Sequence, residues 1–534
     1  MSTSQSNQKS LFSGIRGILL FLMLPSLIFA EVKPSSLFYE HIVLQRNIPI
    51  PIWGTANAGE QVTVKLNKAV ATITADNAGR WMVKLPKQKA GGPYKLEISG
   101  TNTISINDVY VGEVWLCSGQ SNMDMTVAKE DRYWCGVLNE DKEVAEANYP
   151  KIRIFDVEFT PTNTLQTEVK GKWEVCSPQT VGHFSAVAYF FAREIYQKLN
   201  ITIGLITSSF GASTAETWMS KPALEARPNL KPLLESYNQK WDKFIADSAV
   251  TMTKYREDLT KHQSNLKAAQ AAAAAAGDVN APKVGRAPRN PNPELDQHNP
   301  NTCYNGMIAP LVPYGIKGAL WYQGESNGPS ASQYREIMET LVGDWRTLWN
   351  QGNFPFLYVQ LANLGKPMTE PVQHNSMMTV REAQAQNLSI PNTAMVVAIE
   401  NAGNEPDNVH PKNKQAIGYR LGLAARAKVY NEKIEYSGPM YKSYKIENNS
   451  IRLYFDHVGS GLMAKDGKLT GFAICGEDKK WYWADARIDG KTVVVSNTEI
   501  TKPVAVRYCW GTNPPASLCN KNGLWTPNFR TDNF

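Results

Sequence analysis

A chain of 534 residues with 43% hydrophobic and 20% charged residues has the composition of a globular protein and is too long for one ordinary core, so about three domains are expected. Its 56 basic and 49 acidic residues leave a net charge of +7 without a long basic block, which gives nucleic-acid binding little support. The seven cysteines are an odd number with no C-x-x-C pair and no His/Cys cluster at zinc spacing. They argue against a disulfide scaffold and against a structural metal, although Cys509 and Cys519 could pair.

Residues 1–30 place Lys9 and Arg16 before the apolar run GILLFLMLPSLIFA and contain no acidic residue. This reads as a secretory signal peptide ending at Ala30, too short and too broken by Pro25 for a permanent span. The mature chain is therefore expected to be secreted or periplasmic, with no integral membrane segment. Residues 31–105 carry the short alternating runs IPIPIWG, QVTVKL, ATITA and YKLEIS between Gly, Asn and Pro, the pattern of an antiparallel β module.

From 106 to 430 the texture is α/β. Five apolar runs, DVYVGEVWLC, IGLITSS, KGALWY, FPFLYVQLA and TAMVVAIE, alternate with helix-period segments such as FSAVAYFFAREIYQKL and KNKQAIGYRLGLAARA. Five strands separated by helices predict a parallel five-stranded sheet covered on both faces, with its ligand site outside the carboxyl ends of the strands. An interruption at about 220–300 contains a helix-prone segment ending in KAAQAAAAAAG and then a Pro- and Asn-rich return. It reads as a helical insertion serving as a lid or packing element. Residues 431–534 return to β texture in IRLYFDHV, KTVVVS and VAVRYCW, a C-terminal β module.

Ester cleavage by a hydroxyl needs a nucleophile, an imidazole base, an orienting carboxylate and donors for the oxyanion. Ser121, in LCSGQSNMDM, ends the first α/β strand with Gly119 leaving room for a tight turn. It does not lie in a G-x-S-x-G elbow, which removes the common α/β-hydrolase reading. Asp407 and His410, in EPDNVHPKNK after the last strand, are three apart, close enough for the carboxylate to hold one ring nitrogen. Taken alone, Ser121 would be a turn residue and Asp407 a helix cap, but both segments fall at carboxyl ends of one sheet and so can converge. His374, before the VREAQ helix, is the rival base. Gly211 in SSFGAS could bring a backbone N–H to an oxyanion, and Gln323 and Asn327 in WYQGESN offer amide donors. Glu325 between them reads as a loop organiser or a second acid.

GEVWLCSGQSNM, GLITSSFGASTAETW, GALWYQGESN, DWRTLW, PFLYVQLA, VREAQ and DNVHPKNKQAIGYRLG, in this order, resemble the sialate O-acetylesterases of the SGNH hydrolase superfamily. The resemblance runs from about 31 to 534 apart from the Ala-rich insertion. It implies a flavodoxin-like α/β domain with flanking β-sandwich modules, and a secreted, metal-free and cofactor-free serine esterase that deacetylates sialic acids. On matching motifs Ser121 is the nucleophile, His410 the base and Asp407 the third member, with Ser121 and Gly211 in the oxyanion hole. QGESN departs from the superfamily's G-x-N-D pattern, which leaves Gln323, with Asn327 as competitor, for the remaining donor. The same chemistry would serve acetylxylan or another acetylated glycan, and a carbohydrate-binding protein that has lost activity is the reading of another class.

Overall fold

The computed structural model describes residues 31–276, 284–399 and 408–534, so the leader expected at 1–30 lies outside the described residues. The central sheet is built from β1 (Thr103–Gly119), β2 (Tyr149–Val157), β3 (Gly171–Cys176), β4 (Ile203–Ser209), β5 (Gly318–Tyr322), β6 (Phe356–Gln360) and β7 (Thr393–Val397). Their spatial order is β3-β2-β4-β1-β5-β6-β7. All pairings are parallel except that of β3, which is antiparallel to β2 at one edge. The five expected strands are therefore joined by a sixth parallel strand and an edge strand. The added parallel strand, YPKIRIFDV, mixes Lys151, Arg153 and Asp156 with its apolar residues and so lacks the continuous apolar run of a buried strand.

Alternating side chains of each strand feed two cores, as the period of two requires. Val114 and Leu116 of β1, Ala319 and Trp321 of β5, and Phe356 and Tyr358 of β6 face one core. Trp115 and Cys117, Leu320 and Tyr322, and Leu357 and Val359 face the other. The first core is closed by α4 (Tyr334–Trp349) and α5 (Ser376–Gln386), the second by α2 (Ala186–Leu199) and α6 (Lys414–Lys428). Three of these helices open on a polar cap, with Ser185, Asn375 and Asn413 accepting backbone N–H groups, which satisfies donors that a helix start leaves unpaired.

β1 is 17 residues long and serves two sheets. Its first half pairs with Gly91–Ser99 and Val43–Gln45 of the N-terminal β region, while Glu113–Gly119 lies between β4 and β5. One continuous strand thus crosses the expected boundary near 105. After residue 431, two four-stranded antiparallel sheets share a core in which Ile451, Leu453, Val493 and Val495 meet Phe472, Ile474, Val506 and Phe529. The insertion holds α3 (Lys231–Ala275), a helix of 45 residues with only Leu234 and Tyr237 buried. No helix among the described residues is long and apolar enough to cross a membrane. Cys509 is a buried free thiol whose pKa burial pushes up to about 12; the bridge considered between Cys509 and Cys519 is not formed.

The α2–α6 contact that backs the second core depends on Gly418. A Cβ there would meet the backbone nitrogen of Phe191 at 2.8 Å, and backbone cannot move aside as a flexible side chain can. Gly418→Ala is expected to cost about 1–3 kcal/mol of unfolding free energy, the usual penalty of overpacking, read by denaturant titration. An unchanged midpoint would show that the two helices separate freely.

Candidate active site

Every residue of the Gly-Gln-Ser-Asn segment has a separate task. Gly119, the last residue of β1, has φ +143°, and a Cβ there would lie 2.8 Å from the carbonyl carbon of Tyr322 in β5. Only glycine lets the chain leave the sheet so close to its neighbour. Gln120 then ties the turn to the loop after β5: its N–H donates to the Tyr322 carbonyl at 3.0 Å, and its Oε1 accepts from the N–H groups of Gly324 and Ser326 at 3.1 and 3.3 Å. Ser121 opens the short helix α1 (Ser121–Asp124), so its own N–H is among the first donors of a helix, which have no acceptor within it.

Asn122, fully buried, is the hub. Its Nδ2 donates to Glu325 Oε1 at 2.7 Å and to the Val409 carbonyl at 3.0 Å, and its Oδ1 accepts from Lys414 Nζ at 2.8 Å. Lys414 also donates to the Pro411 carbonyl at 2.6 Å. These bonds bring the loop after β7 against the start of α1. His410 Nε2 stands 2.8 Å from Ser121 Oγ, with the two residues only 8% and 7% exposed. Burial, with the Lys414 ammonium adding to it, pushes the His410 pKa down from 6.5 to about 4. The imidazole is therefore neutral at neutral pH and able to accept a proton.

Trp134, in the loop between α1 and β2, stacks on the His410 ring at 4.8 Å and 22°. The guanidinium of Arg132 lies over the indole, 4.8 Å from its centroid. Arg132 Nη1 donates to Asp124 Oδ2 at 2.7 Å. The Asp124 carboxyl is pushed up to about 7 by burial, against the pull of Arg132.

A Cβ built on Gly211 would lie 3.7 Å from Ser121 Cβ and 3.8 Å from the Trp134 ring, so its backbone borders Ser121. Its N–H also helps to hold down the Asp124 carboxyl. Gln323 and Asn327 are buried at the carboxyl end of β5. Gln323 Nε2 donates to the Ser213 carbonyl at 3.1 Å and to Asn327 Oδ1 at 2.6 Å. Asn327 Nδ2 donates to Glu216 Oε2 at 2.7 Å and Ser330 Oγ at 3.1 Å. Both hydrogens of each amide are thus spent on the loops, so neither has a free donor for an oxyanion in this arrangement. Glu325 acts as an organiser through Asn122, and burial raises its carboxyl above the usual carboxylate range.

Asp407 lies outside the described residues. His374, the rival base, sits 3.5 Å from Arg507 of the C-terminal region. His41, His183, His298 and His457 each pair with a carboxylate elsewhere. Trp134, Arg132 and Lys414 were not singled out from the sequence. Their signals were slight: two residues in an irregular loop, and a lysine four positions after His410.

Residues 294–427 match the family model described as carbohydrate esterase, sialic acid-specific acetylesterase. The sialate O-acetylesterase of Mus musculus is 30% identical over 517 residues, covering 87% of this chain and 86% of that protein. This chain belongs to the sialate O-acetylesterase family. The Homo sapiens sialate O-acetylesterase is 28% identical over 549 residues, covering 93% and 92%. Among solved structures, a carbohydrate acetylesterase from Xanthomonas citri superposes with a TM-score of 0.76 at 32% identity, covering 94% of this chain and all of that one. In this sialate O-acetylesterase family member, a carbohydrate esterase, the family-model match takes in β5, β6, β7 and the His410 loop, while Ser121, which follows β1, lies before it.

Removing the Gln323 amide strands the Ser213 carbonyl, while Asn327 Oδ1 keeps the Ala215 N–H at 2.9 Å and the Tyr334 hydroxyl keeps the Gln323 backbone carbonyl at 2.9 Å. Gln323→Leu is therefore expected to cost about 1–3 kcal/mol of stability, read by unfolding. Turnover of the folded fraction should not show the ~10²–10³-fold loss that follows removal of an oxyanion donor. A loss of that size at unchanged stability would return Gln323 to the oxyanion hole.

Proposed function

We propose that this protein is a secreted serine esterase that removes O-acetyl groups from sialic acids by two-step acyl transfer. The observation that carries the reading is the 2.8 Å contact between Ser121 Oγ and a neutral His410 Nε2, at the sheet edge of a chain whose relatives are sialate O-acetylesterases. His410 takes the proton of Ser121 as Oγ attacks the acetyl carbonyl. The N–H of Ser121 receives the negative charge of the tetrahedral intermediate, joined by that of Gly211, which exchanges the Asp124 carboxyl for the oxyanion. His410 then returns the proton to the departing sugar hydroxyl, leaving an acetyl ester on Ser121. A water molecule, deprotonated by the same imidazole, cleaves that ester to release acetate and restore the serine. Asp407 is the carboxylate that sets the tautomer of His410. No step calls for a metal or a cofactor.

The same reading treats residues 1–30 as a cleaved signal peptide and the protein as secreted or periplasmic. It divides the remainder into a β-sandwich module at 31–105, a flavodoxin-like SGNH domain at 106–430 with its insertion at about 220–300, and a β module at 431–534. Taking only the five expected strands in chain order, their spatial order is 2-1-3-4-5, which supports the flavodoxin-like assignment.

Two measurements test the chemistry. Acetate release should be seen from an O-acetylated sialic acid and not from acetylated xylan, and should fall by several orders of magnitude in Ser121→Ala. Release from xylan alone would keep the mechanism and change the substrate; release by the Ser121→Ala variant would remove the nucleophile. The pH profile tests the base. His410 works only when neutral, so kcat/KM falls as the pH drops through its pKa, and that limb is expected below 6.5. Asp407→Asn removes a charge that favours imidazolium, so it should move the limb lower still and cut turnover by about 10⁴-fold. A limb at or above 6.5 in the wild type would contradict the lowered pKa of His410.

A further inference from the structure

The loop between α1 and β2 carries no residue of the proposed triad, yet its Trp134 lies against His410. Its neck is pinned by backbone bonds from Gly136 N–H to the Thr126 carbonyl at 3.2 Å and from Val137 N–H to the Val127 carbonyl at 3.0 Å. It is pinned again to the segment that carries the base: Leu138 N–H donates to the Lys412 carbonyl at 3.1 Å, and Gln415 Nε2 donates to the Leu138 carbonyl at 2.6 Å. From this neck a chain of contacts runs inward. Asp124, three residues after Ser121 on α1, holds Arg132 at 2.7 Å. Arg132 lies over the Trp134 indole, and Trp134 stacks on His410. Glu130 takes a second bond from Arg132 at 2.8 Å.

We propose that Trp134 is a positioning residue for the base, held by the Asp124–Arg132 pair so that its indole fixes the plane of the His410 ring facing Ser121. The proposal rests on the serine esterase reading and adds a part to it. A histidine on a loop can rotate about two side-chain torsions, and a flat partner at 4.8 Å and 22° restricts that rotation without spending either ring nitrogen. The indole has a second effect during the reaction. When Ser121 Oγ gives its proton to Nε2, the ring becomes a cation, and an aromatic face is a favourable neighbour for it. Lys414 on the buried side disfavours the same cation, so the two neighbours oppose each other. Because Asp124 belongs to the helix that begins with Ser121, the contacts couple the orientation of the base to the element that carries the nucleophile.

Trp134 also approaches Gly211, so its alternative role is a wall of the substrate site. The two roles differ in what they change. A positioning role acts on kcat for any acetyl ester, whereas a wall acts on KM for the sugar. Trp134→Ala, Trp134→Phe, Asp124→Asn and Ser121→Ala should be assayed with a small activated acetate ester across pH, with circular dichroism and thermal unfolding run on each variant. Trp134→Ala is expected to lower kcat about tenfold or more, the scale of a misplaced catalytic group, with little change in KM. Its acid limb should move upward toward 6.5, because burial is the larger cause of the lowered His410 pKa and the water gained outweighs the aromatic face lost. Trp134→Phe, which keeps an aromatic face, should recover most of the loss, and Asp124→Asn should show a smaller loss of the same kind. Wild-type kcat and pH profile in a folded Trp134→Ala variant, or a loss confined to KM, would overturn the proposal while the loss in Ser121→Ala stands. If Trp134→Ala unfolds, Trp134→Phe and Asp124→Asn decide by the same readouts. Retained activity in Ser121→Ala would overturn the serine esterase reading itself.

Discussion

The contact between Ser121 and His410 joins residues 289 positions apart, and the parallel sheet is what makes so distant a pairing reproducible. In a parallel sheet all carboxyl ends lie on one edge, so segments that leave different strands emerge side by side. β1 occupies the position where the chain first builds to one side, toward β4, and later to the other, toward β5. The end of β1 is thus open to loops arriving from both directions. Ser121 comes from that end and His410 from the loop after β7 at the far side of the sheet. The approach of the second loop is the harder task, since β5 and β6 lie between the strands concerned.

The distance is spanned by buried polar side chains rather than by apolar packing. Asn122 accepts from the Lys414 ammonium and donates to the Glu325 carboxylate and the Val409 carbonyl, connecting the segments after β1, β5 and β7. Such a network is costly when incomplete and specifies one arrangement when satisfied. It also sets the electrostatics of the base: the ammonium that ties the loops together is the charge that, after burial, holds the His410 imidazole neutral. Structure and chemistry share one residue here, which explains why a lysine is found in the interior at the first turn of α6.

The parts of this arrangement that were legible in the sequence are those governed by local pattern. Five strands read as continuous apolar runs because both of their faces are covered. YPKIRIFDV did not, since Lys151 and Asp156 interrupt it, and the sheet grew by a strand. Ser121 and His410 could be paired because each follows a strand, and position at a carboxyl end is a property of the local sequence. The amides could not be assigned in that way. Gln323 and Asn327 sit at the correct edge, but the Ser213 carbonyl, Glu216 and Ser330 that claim their hydrogens are set by how three loops meet. Trp134 was illegible for the same reason: an irregular loop carries no periodicity, and its contact with His410 exists only once the loop is pinned at Lys412. Asp407, outside the described residues, rests on the sequence argument alone.

The central claim is that an acetyl group passes through a covalent ester on Ser121. Its most direct test is to quench the enzyme with acid during the first turnovers of an activated acetate ester and to locate the added mass by peptide mapping. The account predicts one acetyl group on the peptide containing Ser121, absent when His410→Ala is treated in the same way. Acetyl on another residue, or turnover by Ser121→Ala at the wild-type rate with no labelled peptide, would contradict it.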